Sequence, residues 1–186
     1  MNAGLGDDNK GRTFVMSAIT HLTQYARRRL LPPIYDEATH WYQGWYFDLR
    51  LEEELARGKR YGIAVAVLVV LLPGPFNRQQ AKDLNARLPD IAAKALRRSD
   101  IPALLEENEY AIALPHTSPQ QAETVVRRLV KSFSGFAPII GVAGFPDDSD
   151  DSAQLLLIAE HRAMSAALAA GTPADAIRRR GKTHRD

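Results

Sequence analysis

The chain has no cysteine. Disulfides and thiolate metal centres are therefore excluded, and the absence suits a cytoplasmic location. Its five histidines, His21, His40, His116, His161 and His184, are scattered without ligand spacing, so no zinc site is expected. Long hydrophobic runs are also missing. The longest, within residues 62–72, is too short to span a bilayer and too rich in valine to favour a helix, so it reads as a buried central strand. The opening stretch MNAGLGDDNKGR has no apolar core and does not read as a signal peptide. Asp147, Asp148, Asp150 and Asp151 lack the glycine and terminal glutamate of an EF-hand loop. They read as a solvated loop with a helix-capping Asp or Ser. Neither an internal repeat, a low-complexity tract nor a serine or cysteine nucleophile arrangement is visible.

What is present describes a soluble globular protein. The 186 residues fit one domain plus extensions, with 45% hydrophobic and 25% charged residues. Net charge is only +2, but basic residues cluster at Arg27-Arg28-Arg29 and Arg178-Arg179-Arg180. Such triplets can touch nucleic acid or anionic lipid. The simpler reading is solvated helix ends or tails, with no nucleic-acid partner and no membrane insertion.

Residues 1–12 are small, polar and glycine-containing and read as a disordered tail. Phe14, Ile19, Leu22 and Tyr25 have helical spacing over 13–31, and Pro32-Pro33 ends that run. A second helix is expected from about Asp36 to Arg57, stopped by Gly58, and it carries an aromatic cluster of Trp41, Tyr42, Trp45 and Tyr46. Strand 62–72 follows, then a break at Pro73-Gly74-Pro75 and a helix over about 77–97, interrupted or kinked at Pro89. A hairpin is expected over 101–115, with its turn within 106–109. Ser118 can cap a helix from about 119 to 133. Residues 137–143 read as another buried strand, residues 152–170 as a helix ended by Gly171, and 174–178 as a short edge strand. Adjacent and crossover connections mix, so the fold class is α+β, with one central, mainly antiparallel sheet flanked by helices.

The order of landmarks resembles the GGDEF family, the diguanylate cyclase domain with its nucleotidyl cyclase-like palm. The resemblance covers about residues 35–178, with a tail and helix over 1–34 before it and a basic tail over 179–186 after it. Asp36-Glu37-Ala38-Thr39, Gln43 and Phe47 resemble the family's D-x-L-T-G-L-x-N-R-x-x-F. Arg60-Tyr61-Gly62 precedes the apolar strand. Glu109-Tyr110-Ala111-Ile112-Ala113-Leu114-Pro115 is similar to E-F-A-I-L-L-P, and Ile140-Gly141-Val142-Ala143 to I-G-V-A. Ala163-Met164, Ala167 and Gly171 resemble A-M-Y-x-A-K-x-x-G.

The departures carry the functional expectation. The resemblance places the signature hairpin at Glu106-Glu107-Asn108-Glu109-Tyr110. In the family, two glycines there let GTP phosphates approach bare backbone, and the third residue helps to hold Mg²⁺. Glu106 and Glu107 bring side chains and negative charge instead, and Asn108 offers a neutral amide, a poor Mg²⁺ ligand. The other metal carboxylate is expected where Leu72 or Pro73 stands, and the family's late lysine aligns with Leu168. Two-metal phosphoryl chemistry needs those charges. The resemblance thus implies an inactive catalytic site without metal or other cofactor.

An R-x-x-D motif six residues before the first signature glycine is the family's inhibitory site for cyclic di-GMP. Arg97 and Asp100 stand at that spacing from Glu106 without a gap. Arginine's planar fork bonds bidentately to phosphate or a guanine edge, and a carboxylate accepts from guanine N–H groups. Arg127 or Arg128 on the following helix resembles the family's auxiliary arginine for this ligand. The pattern also occurs at Arg87-Leu88-Pro89-Asp90, so only position singles out the second copy. A surface ion pair between Arg97 and Asp100 is the structural alternative. The sequence therefore implies a catalytically inactive cyclic di-GMP receptor or regulatory module, with a protein partner or homodimer as its output. Its rivals are a ligand-independent interaction domain and a GTP-dependent cyclase with an altered site.

Overall fold

The structure is a computed structural model, and it describes residues 32–173. The N-terminal helix expected over 13–31, the edge strand over 174–178 and both arginine triplets lie outside the described residues.

Strand β1 (Tyr42–Gln43) leads directly into helix α1 (Gly44–Tyr61), followed by β2 (Val65–Leu71) and α2 (Arg78–Ala95). Then come β3 (Ile101–Glu106), β4 (Glu109–Pro115), α3 (Pro119–Ser132), β5 (Ile139–Phe145) and α4 (Ser152–Ala169). The five strands form one sheet in the order β1-β3-β4-β2-β5. Only the β1–β3 pair is parallel. This is the mainly antiparallel α+β sheet expected from the sequence.

The continuous apolar run of β2 is explained by its place in that order. It pairs with β4 on one side and β5 on the other, and all seven of its residues are buried. Because side chains alternate across a strand, Ala66, Leu68 and Val70 enter one core with Leu84, Leu88 and Ile91 of α2 and Ala122, Val125 and Leu129 of α3. Val65, Val67 and Val69 enter a second core with Phe47, Leu51 and Leu55 of α1 and Leu155, Ala159 and Ala163 of α4. Two helices thus cover each face of the sheet. On the second face the approach is close. A Cβ on Gly141 would lie 1.9 Å from the Ala159 carbonyl oxygen and 2.5 Å from the Ala163 nitrogen.

Several element boundaries differ from the sequence reading. Residues 36–43 are not helical. Asp36 Oδ1 accepts from the backbone N–H groups of Ala38 (3.2 Å) and Thr39 (2.8 Å), and His40 takes φ +57°, so the chain makes a turn before α1 begins. Gly58 does not stop α1; it lies buried inside it, where a Cβ would sit 2.7 Å from the Ile63 carbonyl oxygen. The stop is Gly62, left-handed at φ +67°, whose N–H reaches the Gly58 carbonyl. Pro89 falls inside α2 without ending it, on an exposed position. Strand β5 lies about two residues later than expected. Ser118 caps α3 through a reciprocal pair with Gln121, and Asp151 caps α4 by accepting from the Gln154 N–H at 2.9 Å. The aromatic cluster divides: Trp41 is buried against Tyr110, whereas Tyr42, Trp45 and Tyr46 are half-buried in a stack that Tyr35 continues.

Candidate functional site

Two places matter, one at each end of the β3–β4 hairpin. The first is its tip. Glu106 pairs with Glu109, leaving Glu107 and Asn108 as a two-residue turn. Only Asn108 has a positive φ there, +64°, and Asn is among the few non-glycine residues that adopt this conformation readily. The turn therefore forms without glycine. The tip is tied to the end of the central strand, because the Leu72 N–H donates to the Asn108 carbonyl at 3.0 Å. Glu106 and Glu107 are exposed, and Tyr110 turns inward to pack on Trp41 and Phe133. Burial pushes the Tyr110 hydroxyl well above the usual tyrosine range. Among the described residues no group of three or more His, Cys, Asp or Glu side chains stands together as a metal site.

The second place is the opposite end of the hairpin, where β3 begins and β4 finishes. Helix α2 ends at Ala95, and a short turn carries Arg97 and Asp100 into β3. Asp100 is only 8% exposed. Its Oδ2 accepts from the Arg97 backbone N–H at 2.7 Å, closing the turn. The Arg97 guanidinium is left outside that bond and exposed. The expected alternative, in which the two side chains form a surface ion pair, does not describe this turn. Asp100 Oδ1 is buried and has no hydrogen-bond partner. Burial pushes the Asp100 carboxyl above its usual value, opposed by the Arg97 N–H bond, by the charges of Arg97 and Arg128 and by the neighbouring Ser99 side chain.

Arg97 lines a cleft of about 360 Å³ with His116, Thr117, Gln121, Thr124, Val125 and Arg128. The structure thus puts Arg97 and Arg128 in the lining of one cleft; Asp100 is not part of that lining, but the charges of both arginines act on its carboxyl. The structure separates Arg127, whose side chain is 68% exposed and engages Thr124 Oγ1 at 3.0 Å and Glu123 at 4.0 Å. Like Asp100 Oδ1, the Arg128 Nε is buried without a partner. His116, Thr117, Gln121 and Thr124 were not singled out in the sequence. The only local signal there is Pro115-His116-Thr117-Ser118, a turn running into a helix cap.

The other R-x-x-D copy, Arg87 with Asp90, has another task. Arg87 donates to the Ser132 and Ser134 carbonyls at 3.2 and 3.3 Å and lies 5.1 Å over the Phe136 ring, joining α2 to the end of α3.

No family model and no curated protein matches the sequence. Solved structures do match. The GGDEF domain of FimX from Pseudomonas aeruginosa is similar with a TM-score of 0.65 and 18% identity, over 74% of this chain and 96% of that one. The fold is that of a GGDEF domain. The GGDEF domain of TpbB (YfiN) from Pseudomonas aeruginosa matches at 24% identity and a TM-score of 0.59, over 73% of this chain and 89% of that one. The GGDEF domain of DgcB from Caulobacter crescentus, solved in complex with c-di-GMP, matches at 13% identity and a TM-score of 0.59, over 77% and 93%. Among the described residues no helix is long and apolar enough to cross a membrane.

Proposed function

We propose that this chain is a catalytically inactive GGDEF-fold domain that binds cyclic di-GMP in the Arg97/Arg128 cleft and works as a cytoplasmic receptor or regulatory module. We assign the domain to residues 35–178 of the sequence. One observation carries the ligand: two arginines line one cleft, the Nε of Arg128 is buried without a hydrogen-bond partner, and the charges of both arginines act on the neighbouring buried Asp100 carboxyl. Buried polar groups are normally satisfied. A ligand with phosphates for the arginines and guanine N–H groups for the carboxylate supplies what these atoms lack.

The hairpin tip supports the inactive reading. Mg²⁺, which the fold family implies for cyclases, does not fit these residues. Leu72 and Pro73 at the end of β2 offer no carboxylate, and the Leu72–Asn108 hydrogen bond brings that end beside a neutral amide. Glu106 and Glu107 add negative charge where phosphate would approach.

Titration calorimetry with cyclic di-GMP and with GTP tests the reading. Cyclic di-GMP is expected to bind, and Arg97→Ala to weaken it at least about tenfold, the equivalent of roughly 1.4 kcal/mol. GTP with Mg²⁺ or Mn²⁺ is expected to yield no cyclic di-GMP. Absence of binding would give the place to the interaction-domain reading; turnover abolished by Asn108 or Glu109 substitution would give it to the cyclase.

A further inference from the structure

The cleft contains one residue whose backbone and side chain point to different explanations. His116 follows β4 immediately and has φ +55°, a left-handed conformation. The turn that demands it is fixed on both sides. Pro115 is in register with Val65, the Thr117 N–H donates to the Ala64 carbonyl at 3.1 Å, and Thr117 Oγ1 donates to the Pro115 carbonyl at 3.1 Å. Ser118 then opens the capping pair of α3. A turn held this way is met at no steric cost by glycine, and readily by asparagine. Local backbone energetics therefore do not favour histidine over either. Its side chain is exposed on the wall of the cleft that also holds Arg97 and Arg128.

We propose that His116 is a ligand-contacting specificity residue of this cleft, donating an imidazole N–H to a phosphate oxygen of the cyclic dinucleotide that Arg97 and Arg128 hold. The inference rests on the cyclic di-GMP reading above. Non-glycine residues in left-handed backbone collect at binding sites, where function offsets their conformational cost. An imidazole N–H is a directional donor, whereas the two guanidinium groups supply charge. Together, three donors from the α2–β3 turn, the β4–α3 turn and α3 define where a phosphate sits more narrowly than charge alone.

The test compares His116→Gly and His116→Asn with the unaltered protein, by calorimetry with cyclic di-GMP and by thermal unfolding without ligand. Glycine removes the side chain and keeps the turn. It is expected to unfold within about 3 °C of the unaltered protein, a small shift for a chain of this length, yet to bind at least fivefold more weakly. Asparagine tolerates the same backbone and restores an N–H donor, so it is expected to recover part of the loss. Binding by His116→Gly within twofold of the unaltered protein overturns the inference and leaves the receptor reading standing. Binding by His116→Asn as weak as that of His116→Gly overturns the donor role. If the unaltered protein itself binds no cyclic di-GMP, the receptor reading fails and this inference fails with it.

Discussion

Arg127 and Arg128 are adjacent on α3, and replacing each in turn separates geometry from net charge. Successive helical residues point about 100° apart, so only one of the two faces the cleft. Arg128 lines it, with its Nε buried and unpartnered. Arg127 is 68% exposed and already engages Thr124 and Glu123. Arg128→Ala removes at least one charge-assisted hydrogen bond to ligand phosphate, worth about 1.5–3 kcal/mol. At about 1.4 kcal/mol per decade, the dissociation constant for cyclic di-GMP is expected to rise roughly ten- to a hundredfold. Arg127→Ala removes a solvated charge that salt screens over about 8 Å at physiological ionic strength. Its effect is expected to stay below about threefold, in line with the small worth of exposed charges. Calorimetry on the three proteins at one physiological salt concentration measures both, and thermal unfolding of the unliganded variants shows that each is folded. Equal losses from the two substitutions would refute the argument, because the arginines would then be acting through charge alone.

Three further predictions concern the frame around the cleft. Gly141→Ala would set a Cβ 1.9 Å from the Ala159 carbonyl oxygen, and moving backbone rather than a flexible side chain puts the cost at about 1–3 kcal/mol or more. Urea unfolding is expected to show that loss, and a change within about 0.5 kcal/mol, typical of neutral surface substitutions, would contradict the close packing of α4 on β5. Arg87→Ala removes two bonds to carbonyls at the end of α3 and a contact with Phe136; stability is expected to drop by about 1 kcal/mol while affinity for cyclic di-GMP stays unchanged. Asp100→Asn is expected to raise the urea midpoint at pH 7. Burial raises the Asp100 carboxyl above its unfolded value, so the folded state holds the proton more tightly and the ionised group costs stability above that range. The advantage of Asn should shrink as pH falls into the carboxylate range, where the wild-type group is protonated too, and a pH-independent difference would sink the argument.

The sheet was legible because β2 states its position in its composition. A seven-residue apolar run with no alternation, too rich in valine to favour a helix, fits a strand covered on both faces, and the hairpin beside it has apolar arms and a polar tip. The start of α1 was hidden because its aromatic residues continue upstream through Trp41 and Tyr42. Nothing in that pattern shows that the Asp36 carboxylate holds residues 36–39 in a turn. Gly58 misled for a related reason. Glycine near the end of a helix suggests a stop, but here it makes room for the chain returning at Ile63, and the stop is Gly62, four residues on. Near the cleft, the spacing of Arg97 and Asp100 drew attention to the turn before β3, of which Arg97 alone lines the cleft. Choosing Arg128 over Arg127 required the orientation of α3, and His116 required its backbone angle; a residue string carries neither directly.

The two R-x-x-D copies show why spacing alone was insufficient. In the first, Arg87 and Asp90 both lie within α2, where backbone N–H groups past the first turn are committed to the helix. Asp90 stays exposed, and the Arg87 guanidinium is spent on two carbonyls of the neighbouring helix end. In the second, α2 has ended two residues before Arg97, so the Arg97 N–H is available and Asp100 folds back to accept from it. That bond uses one carboxylate oxygen and leaves the other buried and open. It also occupies the arginine's backbone rather than its side chain, so the guanidinium remains free to face the cleft. The same four-residue pattern therefore gives a structural clasp inside a helix and, just beyond its end, a turn-closing carboxylate beside an exposed guanidinium.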